Sequence, residues 1–421
     1  MTDIAAWPPA PEESRHIRHV LPSACAALGL PGFEARLGLP EATIAVVLVV
    51  DGLGDHQLGR HTGHARFLAS AWRRAGTAQV LESPVPTTTA AAIASLATGL
   101  PPGRHGLVGY DVLAPELDRV VNMLGGWDPE VEPSSWQPYP SVLTRAEGAG
   151  AEVVTVSRPK FADSPLTQAV LSGGSFVGAN RMDTRFRITW DQVEQHRPRS
   201  ARTRQGPPTP LLVYLYVDEL DKAGHRYGVD SPEWVRTLEN LDVEAEKLAS
   251  RLAERYGDQA LLVMTADHGM VDVAEEHRVD ITGEQDLLAG VRHTGGEPRF
   301  LHLYLDRGGG ETSGGLRTLR TQSASAEQVE ATAAAWERAF GDGAWVVPGR
   351  DAVEAGWFGE EVEARVLPRI GDVLVASHGP LAIYHTARTG VDAMNMVGQH
   401  GSLTAAERQV PLLSLTGQPL G

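Results

Sequence analysis

Cysteine is nearly absent. Cys25 is the one thiol in 421 residues, which excludes an intrachain disulfide and fits a reducing compartment, so a cytoplasmic location is expected. Long apolar runs are absent too. The longest, IAVVLVV before Asp51, is strand-sized and far short of the roughly 18 residues of a membrane helix. The opening MTDIAAWPPAPEESRHIRH has no basic flank followed by an apolar core, so neither a signal peptide nor membrane attachment is expected. Basic charge is scarce, with 37 Lys and Arg against 53 Asp and Glu, a formal net charge of −16. That argues against a nucleic-acid polymer or an anionic membrane as partner, since both favour a basic face. A local positive site made by bound metal is compatible with it. The phosphate loop GxxxxGK[ST] is missing, and no internal repeat is visible.

What is present is enough apolar content for one large core: 42% hydrophobic against 21% charged residues. TIAVVLVV (43–50) is a continuous β-branched run of the kind buried on both faces of an α/β sheet. Similar runs are EVVTVS (152–157), LLVYLYV (211–217), ALLVMTA (260–266), RFLHLYL (299–305) and DVLVAS (372–377). Helical periodicity lies between them, notably over 232–255. The alternation predicts an α/β fold with a mostly parallel sheet covered on both sides. Residues 1–40 read as a Pro-rich leader with one short helix. Residues 41–421 read as the main α/β domain, with a smaller cap within 270–395. RPRSARTRQGPPTP (197–210) and RGGGETSGG (307–315) read as exposed loops.

Chemistry concentrates just past the strands. Asp51 ends the first run in VVLVVDGLGD, where glycines force a turn, and ligands of open α/β sheets bind beyond the carboxyl ends of strands. PVPTTTAAAIASLATG places Thr88 and Thr89 before an alanine-rich helix that Gly99 ends. A helix start of this kind caps well and also binds phosphate through its free N–H groups. Either hydroxyl needs a lowered pKa to act as a nucleophile, and a metal supplies that. DELDKAGHRYG offers Asp221 and His225, four residues apart, so both reach one ion from a helical turn. TADHGM offers Asp267 and His268, with Gly269 permitting the turn both need, and GQHGS offers His400 between glycines. His56, His61 and His64 in DHQLGRHTGH read as an exposed loop, and His105 stays unassigned. Three Asp and three His suit two divalent ions, and with a hydroxyl at a helix start the set matches two-metal phosphoryl transfer.

The chain resembles the type I phosphodiesterase/nucleotide pyrophosphatase branch of the alkaline phosphatase superfamily. VVDGLG, PTTTAAA…TGLPPGRHG, ELDKAGHRYG, TADHGM and GQHG carry the resemblance, in that order, from about residue 44 to 402. It implies an alkaline-phosphatase-like three-layer sandwich with a largely parallel central sheet. It implies two divalent metal ions, zinc first, with manganese or magnesium in some relatives. Asp51, Asp267 and His268 would hold one, with the Thr89 hydroxyl at the same ion; Asp221, His225 and His400 would hold the other. The family nucleophile falls three residues after a proline, here Pro86, which selects Thr89 over Thr88. The implied reaction is hydrolysis of a phosphodiester or nucleotide pyrophosphate through a phosphothreonine intermediate. The partner is then a small phosphate ester, with nucleotides included. The family's Pro-Asn pair after the nucleophile is replaced by Ala91 and Ala92, which leaves a phosphomonoesterase, a phosphonate hydrolase or a non-catalytic metal-binding scaffold as alternatives. No Cys/Ser-x-Pro-x-Arg motif is present, which argues against the sulfatase branch.

Overall fold

The computed structural model describes residues 7–76, 80–196, 209–306, 324–417 and 420. Ten strands and eight helices position the site. The strands are β1 (Ile44–Val50), β2 (Glu152–Ser157), β3 (Ser175–Gly178), β4 (Leu211–Val217), β5 (Ala260–Ala266), β6 (Val291–Glu297), β7 (Phe300–Leu305), β8 (Ala344–Pro348), β9 (Val373–Ser377) and β10 (Leu413–Ser414). The helices are α1 (Val20–Ala27), α2 (Arg66–Ala75), α3 (Thr89–Thr98), α4 (Val142–Gly148), α5 (Met182–Gln195), α6 (Glu219–Tyr227), α7 (Pro232–Tyr256) and α8 (Ala326–Phe340).

The central sheet has the order β10-β5-β1-β4-β2-β3. β5, β1, β4, β2 and β3 run parallel, and the short edge strand β10 is antiparallel to β5. Every residue of β1, β4 and β5 is buried, which is why their sequences are unbroken apolar runs rather than alternating ones. Fully burying one such Val, Leu or Ile contributes about 1.5–3 kcal/mol. Helices α2, α5 and α7 pack together on one face, and α1, α3 and α4 on the other. Local chemistry sets the ends of α7: Ser231 accepts the Trp234 N–H, Pro232 begins the first turn, and Gly257 ends it at φ +56°.

The runs at 299–305 and 372–377 do not join the parallel sheet predicted from alternation. They form β7 and β9, antiparallel neighbours in a separate four-stranded sheet of order β6-β7-β9-β8. An apolar run encodes burial, not strand direction, and the two strand types read alike. The reading of DHQLGRHTGH as an exposed loop is also corrected. Asp55–Arg60 is helical, and His61 is buried against Trp234, ring centroids 4.7 Å apart. Of the two polar stretches expected to be loops, 307–315 and all but the last two residues of 197–210 lie outside the described residues. Among the described residues no helix is long and apolar enough to cross a membrane. Cys25 is buried in α1.

Candidate metal centre

Strand register brings the first carboxylates together. Val50 pairs with Val217 of β4 and with Ala266 of β5, so the next residues, Asp51, Asp218 and Asp267, leave the sheet at one level. Gly52, at φ +75°, turns the chain after Asp51, and its N–H donates to Asp267 Oδ1 at 3.1 Å. His268 Nε2 lies 3.4 Å from Asp51 Oδ1 and 3.6 Å from Asp267 Oδ2. Among the described residues Asp218 joins no ligand cluster. Arg158 and Lys222 both pair with it, and Asp221, one turn further along α6, faces the site instead.

Two triads result. Asp51, Asp267 and His268 form one, and Asp221, His225 and His400 the other; within each, one ligand atom per residue lies within 4.8 Å of the rest. The histidines share a tautomer. Nδ1 of His225, His268 and His400 faces the carbonyl of Gly398, Gly269 and Thr87 at 2.8, 3.0 and 2.9 Å. A carbonyl only accepts, so each Nδ1 carries the proton and each Nε2 presents a lone pair, the arrangement of metal-ligating histidines. Asp51 Oδ1, Asp221 Oδ1 and Asp267 Oδ2 are buried and have no hydrogen-bond partner among the described residues. Buried carboxylate oxygens are normally satisfied. Three orphans beside three Nε2 lone pairs fit two divalent cations.

The electrostatics point the same way. Burial raises Asp51 well above its ordinary range, with Asp221 and Asp267 adding to it. Burial also raises Asp267. Burial lowers His400 well below the ordinary imidazole value, helped by His268 and His225. Clustered like charge of this kind is what divalent ions neutralise.

The threonine sits at the first triad. Thr88 is the N-cap of α3, in extended conformation, and its side chain makes no capping hydrogen bond. The first-turn N–H groups therefore have no side-chain cap, and Thr89 Oγ1 lies 3.2 Å from His268 Nε2. All ten residues of α3 are buried, which explains its alanines: only small side chains let neighbours close on a helix from every side. A cavity of about 1030 Å³ opens onto Asp51, Thr89, Asp221, His225 and His400. His105 is away from it, buried against Ser95, whose Oγ is 2.9 Å from its Nε2.

Two residues at the site carry no sequence signal. Tyr216, next to last in β4, donates its hydroxyl to Asp51 Oδ2. Glu297, at the turn from β6 to β7, lines the same cavity with Oε2 3.5 Å from His400 Nδ1. The unbroken apolar run of β4 hides the first, and only the pairing of β6 with β7 brings in the second.

The family model for type I phosphodiesterase / nucleotide pyrophosphatase matches residues 45–403. Ectonucleotide pyrophosphatase/phosphodiesterase family member 7 of Homo sapiens is 40% identical over 63 residues, covering 15% of this chain and 14% of the relative. An uncharacterized pyrophosphatase/phosphodiesterase of Schizosaccharomyces pombe is 24% identical over 200 residues, covering 44% and 36%. The matched stretches thus span well under two thirds of these relatives. An inactive variant of murine ectonucleotide pyrophosphatase / phosphodiesterase 5, in complex with AMP, superposes with a TM-score of 0.63 at 16% identity, covering 88% of this chain and 87% of the other. The human counterpart gives a TM-score of 0.59 at 16% identity, covering 88% and 87%. The fold is therefore the alkaline-phosphatase-like α/β sandwich.

Proposed function

Because the chain belongs to the type I phosphodiesterase/nucleotide pyrophosphatase family, we propose that it is a metal-dependent hydrolase of a phosphodiester or nucleotide pyrophosphate, with Thr89 as nucleophile. One observation carries the reading: Thr89 Oγ1 stands 3.2 Å from His268 Nε2, beside buried carboxylate oxygens that lack partners. Asp51, Asp267 and His268 would hold one ion, with Thr89 Oγ1 at the same ion, and Asp221, His225 and His400 the other. Zinc suits this mix of imidazole and carboxylate, and manganese or magnesium are the alternatives to be loaded beside it. Divalent ions so held lower the pKa of a hydroxyl and withdraw charge from phosphoryl oxygens.

The protein's own groups do the rest. The first-turn N–H groups of α3 face the phosphoryl oxygens and stabilise charge there. This is the work that Ala91 and Ala92 leave to the backbone. Deprotonated Thr89 Oγ1 attacks phosphorus as the bond to the leaving alcohol or phosphate breaks. Water then forms a new P–O bond as the Oγ1–P bond breaks, which regenerates Thr89 and releases a phosphomonoester. The murine neighbour's AMP complex supports a nucleotide as substrate. The cavity of about 1030 Å³ has room for one. In the same reading residues 41–421 are one catalytic unit capped by the four-stranded sheet, and the lone buried Cys25 fits the cytoplasm.

A paired assay on zinc-loaded protein tests this, with a nitrophenyl nucleotide diester and nitrophenyl phosphate, on wild type and Thr89→Ala. Diester turnover that falls at least about 10³-fold in Thr89→Ala, with zinc content unchanged, is the expected result. Preference for the monoester would make the protein a phosphatase. No turnover of either, with two ions bound, would make it a scaffold. A Thr89→Ala variant with wild-type rates would refute the nucleophile.

A further inference from the structure

We propose that the buried ion pair Arg299–Glu407 is a positioning device for the two candidate metal sites, acting through the loops that carry His400 and His268. The inference rests on the two-metal reading above.

Arg299 lies in the β6–β7 turn, two residues past Glu297, and is 1% exposed; Glu407 is fully buried. The guanidinium is fully engaged. Nε and Nη2 donate to Glu407 Oε1 and Oε2 at 2.8 and 2.9 Å. Nη1 donates to the Gly379 and Leu381 carbonyls, each at 2.9 Å, and Nη2 also reaches the Ser377 carbonyl at 3.1 Å. Arg299 thus ties the turn to the end of β9 and to Glu407.

Glu407 passes the connection to both triads. Its Oε1 accepts the Ser402 N–H at 3.0 Å, two residues past His400. Thr404 Oγ1 donates to Oε2. Its backbone carbonyl accepts the Gly269 N–H at 2.7 Å, next to His268. Thr87 closes the knot: its N–H donates to the Gly401 carbonyl at 3.0 Å, and its hydroxyl to the Ser402 carbonyl at 2.8 Å. Its own carbonyl holds His400 Nδ1, and Thr89 comes two residues later. One buried residue therefore meets both: the carboxylate of Glu407 holds the loop of His400, and its backbone carbonyl holds the turn of His268.

Stability alone is a weak reason for this arrangement. A buried ion pair is often no more stabilising than apolar side chains of the same volume. What a bidentate fork adds is fixed direction. Direction is what Nε2 of His400 needs, because its ligand geometry is set by the loop rather than by a helix or strand. Partners of this kind typically affect metal affinity by about 10–100-fold.

The test uses the full chain and the variants Glu407→Gln and Thr404→Val. Zinc affinity is measured by competition with a chromophoric chelator, and the cobalt-substituted protein gives a visible spectrum that reports ligand geometry. Glu407→Gln is expected to weaken at least one of two zinc ions by about 10-fold or more and to alter the cobalt bands. Thr404→Val keeps the ion pair and removes one donor, so it should shift both readouts the same way, by less, at a near-wild-type Tm. A lower Tm with wild-type zinc affinity and cobalt spectrum would overturn the inference and make the pair a cap anchor only. If Glu407→Gln does not fold, Thr404→Val decides by the same criteria. Wild type binding fewer than two ions would overturn the two-metal reading itself, a result distinct from variants that leave two tight sites untouched.

Discussion

The imidazole rings of His268 and His400 stack face to face, their centroids 3.7 Å apart and their planes 18° from parallel. The two candidate metal sites therefore share a wall. Two protonated rings could not stack so closely in a buried setting, and burial, with His268 and His225 adding, already holds His400 well below its ordinary value. The neutral form is the ligand form, so metal and proton compete for the same lone pairs.

Chelation should accordingly destabilise the protein as well as silence it. A hundredfold excess of free zinc over Kd adds about 2.7 kcal/mol per site to folding. Calorimetry with zinc and with chelator is expected to show a lower Tm without metal, and zinc content should fall on acidification. Equal Tm values with and without zinc would sink the assignment of these residues.

Gly52 is placed where a side chain disturbs the second site. A Cβ there would stand 3.1 Å from Asp221 Cα and 3.2 Å from Asp221 Cβ, on a backbone at φ +75°. Gly52→Ala adds about 1–3 kcal/mol of backbone strain and pushes on the residue that carries a ligand. The expected result is a loss of about tenfold in the affinity of one zinc ion and a fall in kcat. Retention of both tight ions would show that α6 gives way without cost.

Glu297 provides a pH test with a defined sign. Burial raises its carboxyl well above the ordinary value, with Glu407, Asp111 and Asp221 adding. The folded protein holds a proton that the unfolded chain releases above about pH 4.5. Stability from this group is therefore full below that value and is lost as pH rises through the folded one. Glu297→Gln mimics the protonated form. In metal-free protein it should raise Tm relative to wild type at about pH 8 and leave it equal at about pH 4. A lower Tm at the higher pH would refute the account.

His105 gives the opposite dependence. Burial, with Arg365 next, lowers it from 6.5 to about 3. Between those values the unfolded chain takes up a proton that the folded chain does not, so stability is full above about pH 6.5 and falls on acidification. The slope is about 1.4 kcal/mol per pH unit for one such group. His105→Gln should flatten the decline of Tm between about pH 6.5 and 4 by roughly one proton's worth, read by calorimetry across that range. An unchanged slope would show that the ring titrates in the fold.

Much of this was legible in the residues. The strands at 152–157, 211–217 and 260–266 carry the bounds that their apolar runs predict, and α7 extends the predicted 232–255 by one residue. Buried parallel strands advertise themselves, and turns rich in Asp, His and Gly mark their ends. The sequence is silent on pairing partners. β7 and β9 look like further members of the parallel sheet, yet pair antiparallel in a second one. Glu297 and Arg299 owe their places to that second sheet, so no local pattern announces them. His61 looks exposed amid polar neighbours, but Trp234, far along the chain, covers it.

The level ending of β4, β1 and β5 has a bearing on how this fold tolerates change. The three strands are locked residue by residue, so the segments that continue from Val50, Val217 and Ala266 can shift only in whole steps of about 3.3 Å, with the opposite face presented at each step. An insertion within those strands has no small version. Insertions in the long connections between them leave the ladder untouched. The architecture thus separates what must be inherited intact from what is free to vary: a library aimed at new substrates belongs in the loops beyond the strand ends, and frameshifted strands are lost to it from the start.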